Sequence, residues 1–379
     1  MAKPLIVNVW GIESSKVNVG SVHTLRTAWV AAQVNAKIVL VSISDNHQAP
    51  KLLGRDCIEL VISSSKPSKN KLVRLIVQSV FKGLAPNVLL NLDSLSYSFD
   101  VIIKLRKILR ASDRIHTYQF WFALFCQLIP SFKNKLVYTE LAGEWAELAQ
   151  GRASKLVKVR YGVMGKFVLS RIRVIAQSSL NKKFMVQCGI PPKNIYVVRH
   201  ARSDPKIFCP IVSKPQSPFR VLYVGRIVPQ KGLHILIDAA NILINEKHLK
   251  NITFTIVGPV GGFRSNSPSL YYNLIRDRIN DQNLTSYFDF KGHVPLEELV
   301  RLYSMAHVCV QPSLQDAYPS SVTEAQMCGT PVIGTKSGGM IEMIEDGVTV
   351  YLIPVNGADK LAEKLEYLTK HPSECLEMG

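Results

Sequence analysis

The sequence predicts an α/β protein built from two doubly wound parallel-sheet domains facing each other across a cleft. Three observations carry this. Short Val/Ile/Leu-rich runs alternate with longer helix-periodic stretches, the pattern of parallel layering. Those runs are apolar at nearly every position, as when helices cover both faces of a sheet. The chain has 379 residues, 47% hydrophobic and 20% charged, enough for two cores and too apolar for a disordered polymer.

The elements follow in order. In the front half, strands are predicted at 5–10, 36–42, 88–92, 114–117, 136–139 and 173–176, with helices at 23–34, 71–84, 101–109 and 120–128. The stretch 199–218 holds Pro205, Pro210, Pro215 and Pro218 and reads as the connection between domains 1–205 and 206–379. A second series follows. Its strands are 219–224, 252–257, 288–291, 308–311 and 332–334, and its helices 233–245, 270–283, 296–305, 320–328 and 361–369. Ligands are expected at the carboxyl ends of such strands.

Charge is unevenly spread. Of 46 Lys and Arg, 29 lie in 1–200 with only 10 acidic residues, whereas 201–379 is almost neutral. A basic half points to a polyanionic neighbour: nucleic acid, an anionic membrane face or an acidic substrate. No helix-turn-helix, zinc finger or aromatic platform supports nucleic acid. The seven cysteines are widely spaced and form no C-x-x-C, which excludes a disulfide framework and a Cys-type zinc site and suits a reducing cytoplasm. The apolar run at the start is too short for a signal peptide, and none reaches the length of a membrane span.

Three segments carry chemistry. In 221–232 a buried strand ends at Gly225, followed by Arg226, Lys231 and a helix N-terminus. Helix-end N–H groups, a guanidinium fork and an ammonium suit a diphosphate, although two solvated charges on a turn would look the same. In 311–334 a strand hands over to a polar loop with Asp316, then to a helix with Glu324. Carboxylates so placed accept hydrogen bonds from ribose or sugar hydroxyls; an ordinary acidic helix start is the alternative. In 334–347 the pair Gly338-Gly339 sits at a strand end, where backbone can approach a ligand closely.

In this order and spacing, the three segments resemble the donor domain of family 4 retaining glycosyltransferases of GT-B fold, which has two Rossmann-like domains. Gly225-Arg226 with Lys231-Gly232 is similar to the family's G-R-x4-K-G. Asp316 through Glu324 is similar to its E-x7-E, and Gly338-Gly339 with Glu342 and Gly347 to its G-G-x-x-E-x-x-x-x-G. Upstream, 174–178 and 189–193 resemble the strand and turn before the linker. The resemblance spans about 170–360.

It implies transfer of a sugar from a nucleotide-sugar to an acceptor hydroxyl with retention, and no metal or other cofactor. Arg226 and Lys231 would neutralise the leaving diphosphate beside Gly225, with Gly20 contributing from the front domain. Glu324 would hold the ribose, while Asp316, Ala317, Tyr318, Pro319 and Ser320 meet the sugar, and Gly292, His293 and Val294 the base. The family's front-domain H-x-H falls on His116 and Tyr118. Three departures are visible. Asp316 stands for the usual Glu, Pro319 occupies a position where Gly is common and has no N–H to donate, and Tyr118 replaces the second His. Tyr118 is a poor base at neutral pH. The family's last helix crosses back to the front domain, and here 361–369 is followed only by a short tail.

Acceptors bind the front domain in this family. The basic amphipathic stretch 71–82 and the cluster Lys104, Arg106, Lys107, Arg110 and Arg114 are expected to meet an anionic membrane, placing the protein in the cytoplasm with peripheral contact to the inner membrane face. Cell-surface polysaccharide, lipopolysaccharide or glycolipid synthesis is the expected setting. The alternatives are a nucleotide-sugar epimerase and a binding or scaffold subunit of the same fold.

Overall fold

Unbroken apolar runs become parallel strands in both halves of the chain. The structure is a computed structural model; it describes residues 5–12, 37–43, 57–61, 98, 101–117 and 120–378, apart from 140–143, 150, 152–154, 156–157, 200–202, 261–269, 317 and 349. Gly20, Tyr118 and Ala317 lie outside the described residues, as do the expected elements at 23–34, 71–84 and 88–92.

The chain separates into two units, Met1–Val198 and Arg199–Gly379. The front unit's strands are β1 (Leu5–Ile12), β2 (Lys37–Ile43), β3 (Cys57–Val61), β4 (Arg114–Thr117), β5 (Leu136–Thr139), β6 (Arg173–Ala176) and β7 (Ile195–Val197). They form one parallel sheet in the order β3-β2-β1-β4-β5-β6-β7. The rear unit's strands are β8 (Phe219–Val224), β9 (Ile252–Val257), β10 (Phe288–Gly292), β11 (Val308–Gln311), β12 (Val332–Thr335) and β13 (Val350–Ile353), ordered β10-β9-β8-β11-β12-β13 and again parallel. In each sheet the chain reverses direction of travel beside its first strand, the topology that opens a ligand crevice at the carboxyl edge.

Each unit has its own core. In front, the helix Phe120–Leu128 buries Phe120, Trp121, Phe122, Ala123 and Cys126, and Phe120 meets Trp121 edge-on at 5.7 Å between centroids. Burial of each such aromatic contributes roughly 1.5–3 kcal/mol. Behind, β11 and β12 are buried at every residue, the signature of a strand covered on both faces. The helices Leu233–Asn241, Leu296–Met305 and Ala358–Lys370 turn their apolar stripes onto this sheet.

The proline-rich stretch is part of the rear unit. Phe208 lies in the rear core. The Lys214 ammonium donates to the carbonyl of Ala306 at 2.6 Å and the hydroxyl of Thr330 at 2.8 Å. Among the described residues, no helix is long and apolar enough to cross a membrane. Cys126, Cys188, Cys209, Cys309, Cys328 and Cys375 are free thiols.

Candidate functional site in the rear unit

Three strand ends lie side by side at the carboxyl edge of the rear sheet. β8 runs out at Val224 into Gly225, whose N–H donates to Val257 O at 2.9 Å. β9 runs out into Gly258, whose N–H donates to Gly292 O at 2.8 Å. Gly258 has φ +140°, and a Cβ there would stand 2.1 Å from Gly225 O. Only glycine permits that approach. Gly225 and Gly292 therefore border the same backbone ledge, with Val294 half-buried and His293 exposed just beyond.

The Arg226–Lys231 loop is fastened to the ends of β8 and β9, where Ile227 N–H donates to Pro259 O at 3.0 Å. Buried Tyr223 donates its hydroxyl to Arg226 O at 3.0 Å, and burial pushes that phenol well above its ordinary pKa, so it stays a donor. The loop closes in a 3-10 turn, Pro229–Lys231, and Gly232 adopts a left-handed conformation (φ +68°) at the start of the helix Leu233–Asn241. A Cβ on Gly232 would lie 2.0 Å from Pro312 O, so glycine is required twice over. The Tyr271 hydroxyl accepts from His234 N–H at 3.2 Å, so a first-turn amide expected to face an anion has a partner within the chain.

The second and third segments meet the first. Leu314 N–H donates to Gln230 O at 2.9 Å, which ties the Asp316 loop to the Lys231 turn. The Lys231 ammonium forms an ion pair with the Asp316 carboxylate, both side chains less than one-fifth exposed. Gly339 N–H donates to Asp316 O at 2.9 Å, and a Cβ on Gly338 (φ +56°) would overlap that oxygen at 1.6 Å. The glycine pair thus clamps the backbone of the Asp316 loop. Pro319 stands immediately before the helix Ser320–Met327 with an extended backbone, and Tyr318 and Ser320 beside it are half-buried.

Glu324 sits deeper. It is buried, and its carboxylate accepts from Tyr303 OH at 3.1 Å and Ser203 Oγ at 3.2 Å. Glu342 accepts from Arg199 Nε at 2.9 Å. Sequence reasoning passed over Gly258, Tyr271, Tyr303, Ser203 and Arg199. Only Gly258 left a signal, as a strand-terminal Val-Gly-Pro like the strand-terminal glycine at 225.

In the front unit, His116 lies on β4 between Asn8 of β1 and Val137 of β5, and its Nε2 is 2.6 Å from Thr139 Oγ1. Among the described residues, no group of three His, Cys, Asp or Glu side chains could hold a metal ion.

Residues 209–379 match the family glycosyl transferases group 1. The match lies within the rear unit and covers a little under half of the chain. The chain aligns over 166 residues, at 32% identity, with the D-inositol 3-phosphate glycosyltransferase of Paenarthrobacter aurescens, covering 44% of this chain and 39% of that one. A glycosyltransferase of Salmonella typhimurium named for colanic acid biosynthesis is 26% identical over 195 residues, 50% of this chain and 45% of that one. The chain thus spans less than half the length of the curated relatives it matches. The fold of the whole chain is GT-B. It superposes on sucrose-phosphate synthase from Thermosynechococcus elongatus with a TM-score of 0.75 at 20% identity, covering 99% of this chain and 92% of that one. HepE of Anabaena in complex with UDP-glucose gives 0.71 at 17% identity, with coverage of 99% and 92%.

Proposed function

We propose that the protein is a retaining, metal-independent glycosyltransferase that moves a hexosyl group from a nucleotide-sugar to an acceptor hydroxyl, in the synthesis of a cell-surface polysaccharide, lipopolysaccharide or glycolipid. The observation that carries this reading is the convergence of Lys231, Asp316 and the Gly338-Gly339 clamp on the loop that follows Gly225 and Arg226. UDP-glucose bound to a protein of the same fold supports a nucleotide-sugar donor.

Breaking the bond between the anomeric carbon and the diphosphate leaves negative charge on the β-phosphate. Arg226 and Lys231 meet that charge, and fixed cations of this kind are worth about 3–4 kcal/mol of barrier each. The acceptor hydroxyl attacks from the face the phosphate leaves, and its proton passes to the departing phosphate oxygen, so no side chain need act as the base. Glu324 takes the ribose hydroxyls, in exchange for the hydroxyls of Tyr303 and Ser203 that it holds now. Asp316 faces the sugar, the loop at Ala317, Tyr318, Pro319 and Ser320 lines its other side, and His293 and Val294 border the base. The acceptor is lipid-linked, and the basic front unit holds the protein against an anionic membrane on its cytoplasmic side.

A thermal-shift panel of UDP-, GDP- and ADP-sugars tests the donor reading. One base stabilises the wild type, and Arg226→Ala loses most of that stabilisation. A wild type indifferent to all three would overturn the assignment.

A further inference from the structure

The front unit carries an apolar stripe that no core packing explains. Residues Lys158–Gly165 wind as a π-helix that continues into the α-helix Lys166–Leu169. One side of this rod is core: Tyr161, Val168 and Leu169 are buried. On the other, Val159, Val163 and Phe167 recur every fourth residue and are 54%, 71% and 48% exposed. Solvent-facing positions of a helix are ordinarily polar, and a clustered exposed apolar stripe marks an interaction surface.

Exposed cations are dense along this part of the chain. Lys155, Lys158, Lys166, Arg171 and Arg173 are exposed around it. From 148 to 203 the sequence has twelve Lys and Arg and no Asp or Glu. The Arg171 guanidinium lies over the Phe167 ring, 3.9 Å from its centroid, which braces the ring while leaving the charge at the surface. Lys166 runs across Gly189, where a Cβ would come within 3.1 Å of its ammonium. Between Gly162, Val163, Lys166, Phe167, Ser170 and Arg171 lies an open depression of about 510 Å³.

We infer that this stripe is the surface through which the front unit docks on an anionic lipid bilayer. The valines and Phe167 enter the headgroup–acyl boundary, and Lys166 and Arg171 meet lipid phosphates over the depression. Apolar insertion combined with attraction to anionic headgroups is what holds an interfacial helix. Exposed basic side chains beside an apolar stripe suit a polyanionic sheet. The basic cluster at 104–114 lacks this combination, since Ile103 is the one large apolar side chain exposed beside it among the described residues. The inference rests on the membrane reading given above and not on the chemistry of transfer.

Sedimentation of the full chain with vesicles tests it. The wild type is expected to sediment with equal parts phosphatidylcholine and phosphatidylglycerol, less so at moderate salt, and not with phosphatidylcholine alone. Val163→Ser/Phe167→Ser and Lys166→Glu/Arg171→Glu should each weaken partition about tenfold or more. Lys133→Glu/Lys193→Glu makes the same change in net charge on exposed front-unit residues elsewhere and should weaken it far less. If the wild type ignores anionic vesicles, the membrane reading falls and this inference with it. If the wild type binds and both stripe variants bind equally well, the inference alone falls. It falls also if the wild type is a dimer without lipid that Val163→Ser/Phe167→Ser disrupts, since the stripe then seats a second copy of the chain. Circular dichroism on each variant separates lost docking from lost folding, and the donor panel on the same variants should be unchanged.

Discussion

Lys231 is held by Asp316 before any diphosphate arrives. The pair is shielded but not fully buried, so its net contribution is about 1 kcal/mol, the upper end for partly solvated pairs. A diphosphate that takes Lys231 must first part it from Asp316. Asp316→Asn removes that competition and should bind the nucleoside diphosphate selected in the donor panel two- to fivefold more tightly by calorimetry. The same variant should lose sugar transfer at least tenfold, because the carboxylate proposed to face the sugar is gone. Lys231→Ala should weaken diphosphate binding at least tenfold. Unaltered affinity in Asp316→Asn would mean that the ammonium stays with residue 316 when the ligand binds.

The strands and helices around the site were largely readable, and so was the order of the three segments. The bounds of β4, β5, β6, β8, β9 and β11 coincide with the predicted runs, because each contains Val, Ile or Leu that a sheet covered on both faces buries. β3, β7 and β13 did not stand out. β3 and β7 are edge strands of the front sheet and β13 of the rear, and at β7 the side chain of Tyr196 faces solvent, so the apolar signal thins. What no sequence pattern conveys is which backbones touch. Gly338 reads as half of a weak glycine pair, yet it presses on Asp316 O. Gly338→Ala combines a left-handed backbone with a 1.6 Å overlap and should destabilise the rear unit by more than about 2 kcal/mol in urea unfolding. Gly347→Ala is the control. It too has a left-handed backbone (φ +82°), but a Cβ there meets nothing within 4 Å, so the cost should stay near 1 kcal/mol. Equal costs at the two positions would remove the clamp from the account of the site.

Over the whole molecule, two separate cores and a lopsided charge mean that the units should respond differently to solvent, and Lys214 gives the rear unit a signature of its own. This side chain comes from the stretch that links the units in sequence, and it fastens that stretch to the rear one. All the oxygens it meets are uncharged: Ser304 O, Ala306 O and Thr330 Oγ1. Burial without a carboxylate partner lowers its pKa from 10.5 to about 8. Between those values the unfolded chain holds more protons than the folded one, so stability from this group rises with pH across that window. Below pH 8 both states carry the charge, and the cost of the buried ammonium is complete and flat. Neighbouring Cys328 and Cys375 have thiols raised by burial to about 12 and about 11, so they lose stability over the same range. They remain in a Lys214→Met variant, and their effect cancels when it is compared with the wild type. Rear-unit unfolding followed in urea should therefore show the wild type gaining about 1–2 kcal/mol on Lys214→Met between pH 8 and pH 10. A constant difference would mean that the ammonium is as well solvated in the fold as in the open chain, and the stretch would then be tied to the rear unit by Phe208 and its apolar neighbours alone.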